Sequence, residues 1–104
     1  GWSGLMLVTG ATGPDEARRL RALAPDALFL VPGYGAQGAS AADALSGFVP
    51  RGGRLAGGVV SASRSVSFPP EAQQARSLAD WRQAIIAATN AAQTDLMAAA
   101  TKLT

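Results

Sequence analysis

The chain of 104 residues has no cysteine and no histidine, and its single lysine is Lys102. Without cysteine there are no disulfides and no thiolate nucleophiles or metal ligands. Without histidine there is no Ser-His triad, and most zinc sites are excluded. Absence of cysteine agrees with a reducing compartment, and we expect a cytoplasmic protein. Charge is sparse as well, with nine Lys and Arg against seven Asp and Glu and a formal net charge of +2. The arginines are scattered apart from Arg18, Arg19 and Arg21, which read as the solvated face of one helix. No basic patch marks a nucleic-acid partner. No run is long enough to span a membrane, and the opening GWSGLMLVTG lacks a basic leader and reads as a buried strand. Position 1 is Gly and not Met, so the chain is expected to begin inside a longer protein.

What is present is globular material, 48% apolar, enough for one small domain segment over residues 1–104. Three apolar runs alternate with helical patterns. Gly4 to Thr9 reads as a strand buried on both faces. Pro14 suits the first turn of a helix over Asp15 to Leu23, with Asp15 and Glu16 at the positive end of its dipole. Ala17, Leu20 and Leu23 or Ala24 form its apolar stripe, and the arginines fall on the other side. Ala27 to Val31 is the second strand. Ser40 is placed to cap a short helix over Ala41 to Ser46. Phe48 to Gly58, with Pro50 and four glycines, reads as a connector. Ala56 to Ser61 is the third strand, ending in a polar cluster around Ser61 to Ser65. A helical pattern then runs from Glu71 to Leu103 through Leu78, Trp81, Ile85, Ala88, Ala92, Leu96 and Leu103, with a break expected near Asn90.

This order implies a parallel α/β sheet with strands adjacent in sequence order. Three such strands make a poor free-standing sheet, because both faces need cover and both edges expose backbone groups. The expectation is a partner chain or a larger fold of which this is the tail.

The centre of the chain is LVPGYGAQG, Leu30 to Gly38. A buried strand that stops at Pro32-Gly33 and opens into three glycines marks a strand's C-terminal end, where parallel α/β folds bind ligands. Gly35 allows close backbone approach, and Gln37 carries both donors and an acceptor. If the strands are parallel neighbours, Gly10 to Thr12, Pro32 to Gly38 and Ser63-Arg64 face one cavity. Arg64 offers a planar, permanently charged fork suited to phosphate. Barrels of eight strands commonly hold phosphate in the loops after strands seven and eight. The alternatives are an ordinary glycine turn and a surface arginine.

The pieces LVTGATGPDEARRLRALAPDALFLVPGYGAQG and SASRS together resemble the C-terminal third of orotidine 5′-phosphate decarboxylase, in its longer bacterial branch. The matching parts are the Gly-Ala-Thr loop, the run from Arg21 to Pro25-Asp26, the Pro-Gly-Tyr-Gly-Ala-Gln-Gly loop and the Ser63-Arg64 pair. The resemblance covers Gly4 to Phe68, and the terminal helix is compatible with it. It implies the last three βα units of a (βα)₈ TIM barrel with a long C-terminal helix. It also implies release of carbon dioxide from orotidine 5′-phosphate to give uridine 5′-phosphate, a step of pyrimidine biosynthesis, with no cofactor or metal. Gln37, Ser63 and Arg64 become phosphate ligands, and Pro32, Tyr34 and Gly35 line the substrate pocket. The implied partners are the nucleotide, the N-terminal part of the barrel and a second copy in a homodimer, with no nucleic acid or membrane.

The family's Asp-x-Lys-x-x-Asp motif is absent from this chain. The reaction needs a lysine to protonate the carbon that loses its carboxylate. Lys102 sits at a helix end, far from any strand end. We therefore expect the isolated chain to be inactive and to carry the phosphate end alone. Two other readings are a non-catalytic phosphate-binding or assembly module derived from such a barrel, and a different phosphate-binding barrel enzyme.

Overall fold

A computed structural model of the chain describes residues 1–35 and 37–104. The sheet is built from β1 (Met6–Val8), β2 (Leu28–Val31) and, further along the chain, β5 (Gly58–Val60). All pairings are parallel, in the order β1-β2-β5, with Leu7 opposite Phe29 and Leu30 opposite Val59. Side chains alternate across a strand. Leu7, Phe29, Val31 and Val60 therefore share one face, and Met6, Val8, Leu28, Leu30 and Val59 share the other.

The first face is the core. Phe29 is fully buried among small residues, including Ala11, Ala27, Ala41 and Ala44, and the helices pack on this side. The second face is apolar and open, with Met6 at 51%, Val8 at 70% and Val59 at 59% exposure. Parallel sheets are ordinarily covered on both faces. The apolar runs need cover on both sides, and within this chain the helices supply it on one.

The first helix, α1 (Pro14–Leu23), starts where Pro14 and the acidic first turn place it. Its arginines do not all face solvent. Arg18 pairs with Asp15 at 2.6 Å on the surface, but Arg21 is buried and points under the sheet. Its Nε donates to Gly47 O at 2.7 Å, Nη1 to Ala27 O at 2.6 Å and Pro25 O at 3.0 Å, and Nη2 to Gly57 O at 3.0 Å. The guanidinium also lies 4.0 Å from the centre of the Phe29 ring. Of the expected stripe Ala17, Leu20 and Ala24 face the core and Leu23 is exposed. Arg21 joins the buried side because carbonyl partners meet Nε, Nη1 and Nη2 there.

A capping box between Ser40 and Asp43 opens α2 (Ala41–Ala44). The expected connector is a β-hairpin, β3 (Val49–Arg51) and β4 (Arg54–Ala56), paired antiparallel. Its turn is Gly52-Gly53, with φ of 59° and 75°. Two consecutive positive φ values are what a two-residue type I′ hairpin turn requires.

After β5 the chain makes one π-helical turn, Ser63–Ser67, then a short helix α3 (Pro70–Gln73) and α4 (Leu78–Leu103). The break in the terminal helical region falls between Gln73 and Leu78, and Asn90 lies inside continuous helix. Ser77 sets the new start, its Oγ accepting from the Asp80 N–H at 3.1 Å. Ala92, Leu96 and Ala99 of α4 pack on the core, while Leu78 and Trp81 at its other end are exposed. Among the described residues no helix is long and apolar enough to cross a membrane.

Candidate phosphate site

β2 stops before Pro32, which has no N–H to continue a ladder. Its carbonyl accepts from the Ala11 N–H at 2.8 Å, so the loop after β1 buttresses the loop after β2. Gly33 then turns with φ 96°, and a Cβ there would lie 3.0 Å from Gln37 Oε1. Both the angle and the approach favour glycine. β5 ends beside it, with the Ser61 N–H donating to Val31 O at 3.0 Å. The π-helical turn begins two residues later, and its opening N–H groups, at Ser63 and Arg64, have no partner within the turn.

Between these two strand ends lies a cavity of about 120 Å³, lined by Pro32, Gly33, Tyr34 and Gln37 on one side and Ser61 to Arg64 on the other. It is smaller than the roughly 300–1,000 Å³ that encloses a whole small-molecule ligand. A phosphate-sized group matches it better than a nucleotide. Among the described residues Arg64 is the one charged residue in the lining, and no carboxylate faces the space. Among the described residues the ion pairs are Asp15–Arg18 and Asp26–Arg51, and Arg64 is in neither. A single cation with amide and hydroxyl groups around it is a setting for an anion.

Five of the six expected site residues, Pro32, Tyr34, Gln37, Ser63 and Arg64, thus border one cavity. Gly35 does not: its N–H donates to Ala39 O at 3.1 Å, and it borders a neighbouring cavity. Gly10 to Thr12 also stay outside, because the Ala11 N–H is spent on Pro32 and the residue is fully buried. Tyr34 borders the cavity and also makes a contact that the sequence did not suggest. Its ring is buried, and its hydroxyl donates to Asp95 Oδ2 of α4 at 2.5 Å. No local signal in the sequence joins these two residues, which lie 61 positions apart.

Burial first, and the bond to Asp95 second, push the Tyr34 pKa up to about 12. The neutral phenol is therefore favoured in the folded state. Its contribution to stability is intact below the ordinary value near 10 and is lost as pH rises from there through about 12. Tyr34 is the only tyrosine. Phenolate absorbance of the folded chain should rise near pH 12; a midpoint near 10 would show that the hydroxyl is neither buried nor bonded.

Sequence relatives point the same way. Orotidine 5′-phosphate decarboxylase of Rhodopirellula baltica is 38% identical over 92 residues, covering 86% of this chain and 30% of the relative. The enzyme of the same name from Haloarcula marismortui is 44% identical over 73 residues, 67% of this chain and 25% of the relative. That of Deinococcus radiodurans is 51% identical over 61 residues, 59% of this chain and 21% of the relative. The chain is related in sequence to orotidine 5′-phosphate decarboxylase. It spans less than a third of the length of these decarboxylases. The 86% share in the first exceeds Gly4 to Phe68, so the match to the decarboxylase reaches beyond the motif-bearing stretch. No protein-family model and no solved structure matches the chain.

Proposed function

We propose that this chain is the C-terminal segment of an orotidine 5′-phosphate decarboxylase, contributing three βα units of a (βα)₈ barrel and the site for the substrate's phosphate. The observation that carries the reading is the meeting of Gln37, Ser63 and Arg64 at one carboxylate-free cavity, in a chain related to that enzyme. The open apolar face of the sheet supports the barrel, since a barrel interior filled by side chains from other strands would cover Met6, Val8 and Val59.

In this reading Arg64 and Gln37 bind the phosphate oxygens, and the Ser63 backbone adds a donor. Pro32 and the Tyr34 ring face the ribose or base, and Gly35 acts only through the shape of its loop. The reacting carbon lies elsewhere, at a lysine and carboxylates supplied by earlier strands. Phosphate binding contributes there indirectly, as remote binding energy that holds the substrate against the charged residues. No cofactor takes part. The complete protein is a cytoplasmic homodimer whose small-molecule partner is the nucleotide.

The isolated chain should release no carbon dioxide from orotidine 5′-phosphate above the uncatalysed rate, whereas the full-length protein containing it should turn over. The assay follows loss of the orotidine chromophore with both proteins purified away from host enzyme. Turnover by the isolated chain would show that the chemistry has been misplaced. A full-length protein that binds uridine 5′-phosphate without turnover would favour a non-catalytic phosphate-binding module.

A further inference from the structure

We infer that Asp95, reaching across from α4, is a positioning residue for the phosphate loop and acts by holding the Tyr34 hydroxyl. The inference rests on the phosphate-site reading above. The loop after β2 turns on glycines, since Gly33, Gly35 and Gly38 all adopt positive φ, the conformation glycine takes most readily. Two bonds, Gly35 N–H to Ala39 O at 3.1 Å and Gly38 N–H to Gly35 O at 2.9 Å, lie within the loop, and a side-chain bond attaches it to α4.

Tyr34 supplies that attachment. It sits between Gly33 and Gln37, both of which border the phosphate cavity. Its ring forms the wall between that cavity and a second one of about 480 Å³, which Asp95 borders from the far side. The carboxylate's own place is set by α4, because Ala92, Leu96 and Ala99 on the same helix pack on the core. A 2.5 Å bond from a phenol to a carboxyl oxygen is short. The chain of contacts therefore runs from the packed helix through Asp95 and Tyr34 to the residues beside Gln37. Among the described residues Asp95 is not part of the lining of the proposed phosphate cavity, so its effect there comes through Tyr34.

The test uses the full-length protein, with Kd measured for uridine 5′-phosphate and for uridine, and thermal unfolding recorded alongside. Asp95→Ala and Tyr34→Phe should each weaken the nucleotide by roughly tenfold to a hundredfold, as for loss of one hydrogen bond to a charged group. In Asp95→Ala, which leaves the Tyr34 ring intact, uridine should change by less than about twofold, because the effect lies at the phosphate. The double variant should be no worse than either single one, since both break the same bond. Asp95→Asn keeps an acceptor and should recover most of the affinity. Equal losses for nucleotide and nucleoside, or an unchanged nucleotide Kd in both single variants, would overturn the inference while leaving the phosphate site standing. A wild-type protein that binds nucleotide no better than nucleoside would overturn the phosphate site, and the inference with it.

Discussion

Replacing Arg64 by alanine in the full-length protein is expected to weaken uridine 5′-phosphate binding by about 2–5 kcal/mol, the range for truncating one partner of a charge pair once the nucleotide covers it, Arg64 being exposed in this chain. That corresponds to roughly 30-fold to several thousand-fold in Kd. Among the described residues Arg64 is the only charge in the cavity lining, so no neighbour can take over its role there. Its bond to phosphate is charge-assisted on both sides and can be bidentate. Arg64→Lys should recover part of the affinity, because the ammonium keeps the charge but loses the planar fork. Gln37→Ala should cost less, about 1–3 kcal/mol, as for a hydrogen bond to a charged group. Uridine binding should hardly move in any of these variants. Calorimetric titration with nucleotide and nucleoside separates the cases: equal losses for both would mean that the residues hold structure and not phosphate.

Arg21→Met should act on stability instead. The guanidinium donates to carbonyls from Ala24, Pro25, Ala27, Gly47 and Gly57, at 2.6–3.3 Å. These carbonyls belong to the end of α1, the start of β2, the segment before the hairpin and the start of β5. One side chain thus ties together four segments at the N-terminal ends of the strands, opposite the phosphate cavity. Removing it leaves several buried acceptors without donors, at about 1–3 kcal/mol each, so a loss of at least roughly 3 kcal/mol is expected. Domains are stable by about 5–15 kcal/mol, so this is a large fraction. Burial, and then repulsion from Arg51, lower the guanidinium pKa, while Asp26 opposes the shift. The carbonyls are what make the cation tolerable. Arg21→Lys should recover little, because three donors on one nitrogen cannot reach partners spread over a planar fork. The urea midpoint of the full-length protein measures this. A midpoint close to wild type would show that the bonds are not formed in solution. Nucleotide affinity of the folded fraction should stay near wild type, which distinguishes Arg21 from Arg64.

The three sheet strands were legible because each is a short apolar run that stops at glycine, proline or serine. Their parallel order followed from the helical patterns between them. The Ser40 cap was legible for the same reason, since Asp43 stands three residues on. What escaped the sequence reading depended on distant partners. Arg21 looks like its neighbours Arg18 and Arg19 until the carbonyls of Gly47 and Gly57 are brought to it. Tyr34 looks like a ligand-facing aromatic until Asp95 is placed across from it. The hairpin was a different kind of miss. Gly52-Gly53 between Val49-Pro50-Arg51 and Arg54-Leu55-Ala56 is a local turn signal, but Pro50 and the crowding of glycines made the segment read as irregular. Of the candidate site, Gln37 and Arg64 were singled out by loop chemistry at strand ends and Ser63 by the resemblance, and all three border the one cavity. The loop holding Gly10 to Thr12 shares that chemistry but supports its neighbour from outside the cavity.

The central claim is that this segment holds a nucleotide's phosphate, and the position of one phosphorus atom tests it most directly. A crystal structure of the full-length protein with uridine 5′-phosphate should place the phosphate between the loops after β2 and β5. Its oxygens should lie about 2.7–3.1 Å from the Arg64 guanidinium and the Gln37 amide. A phosphate bound at other residues, with Arg64 and Gln37 turned to solvent, would contradict the account.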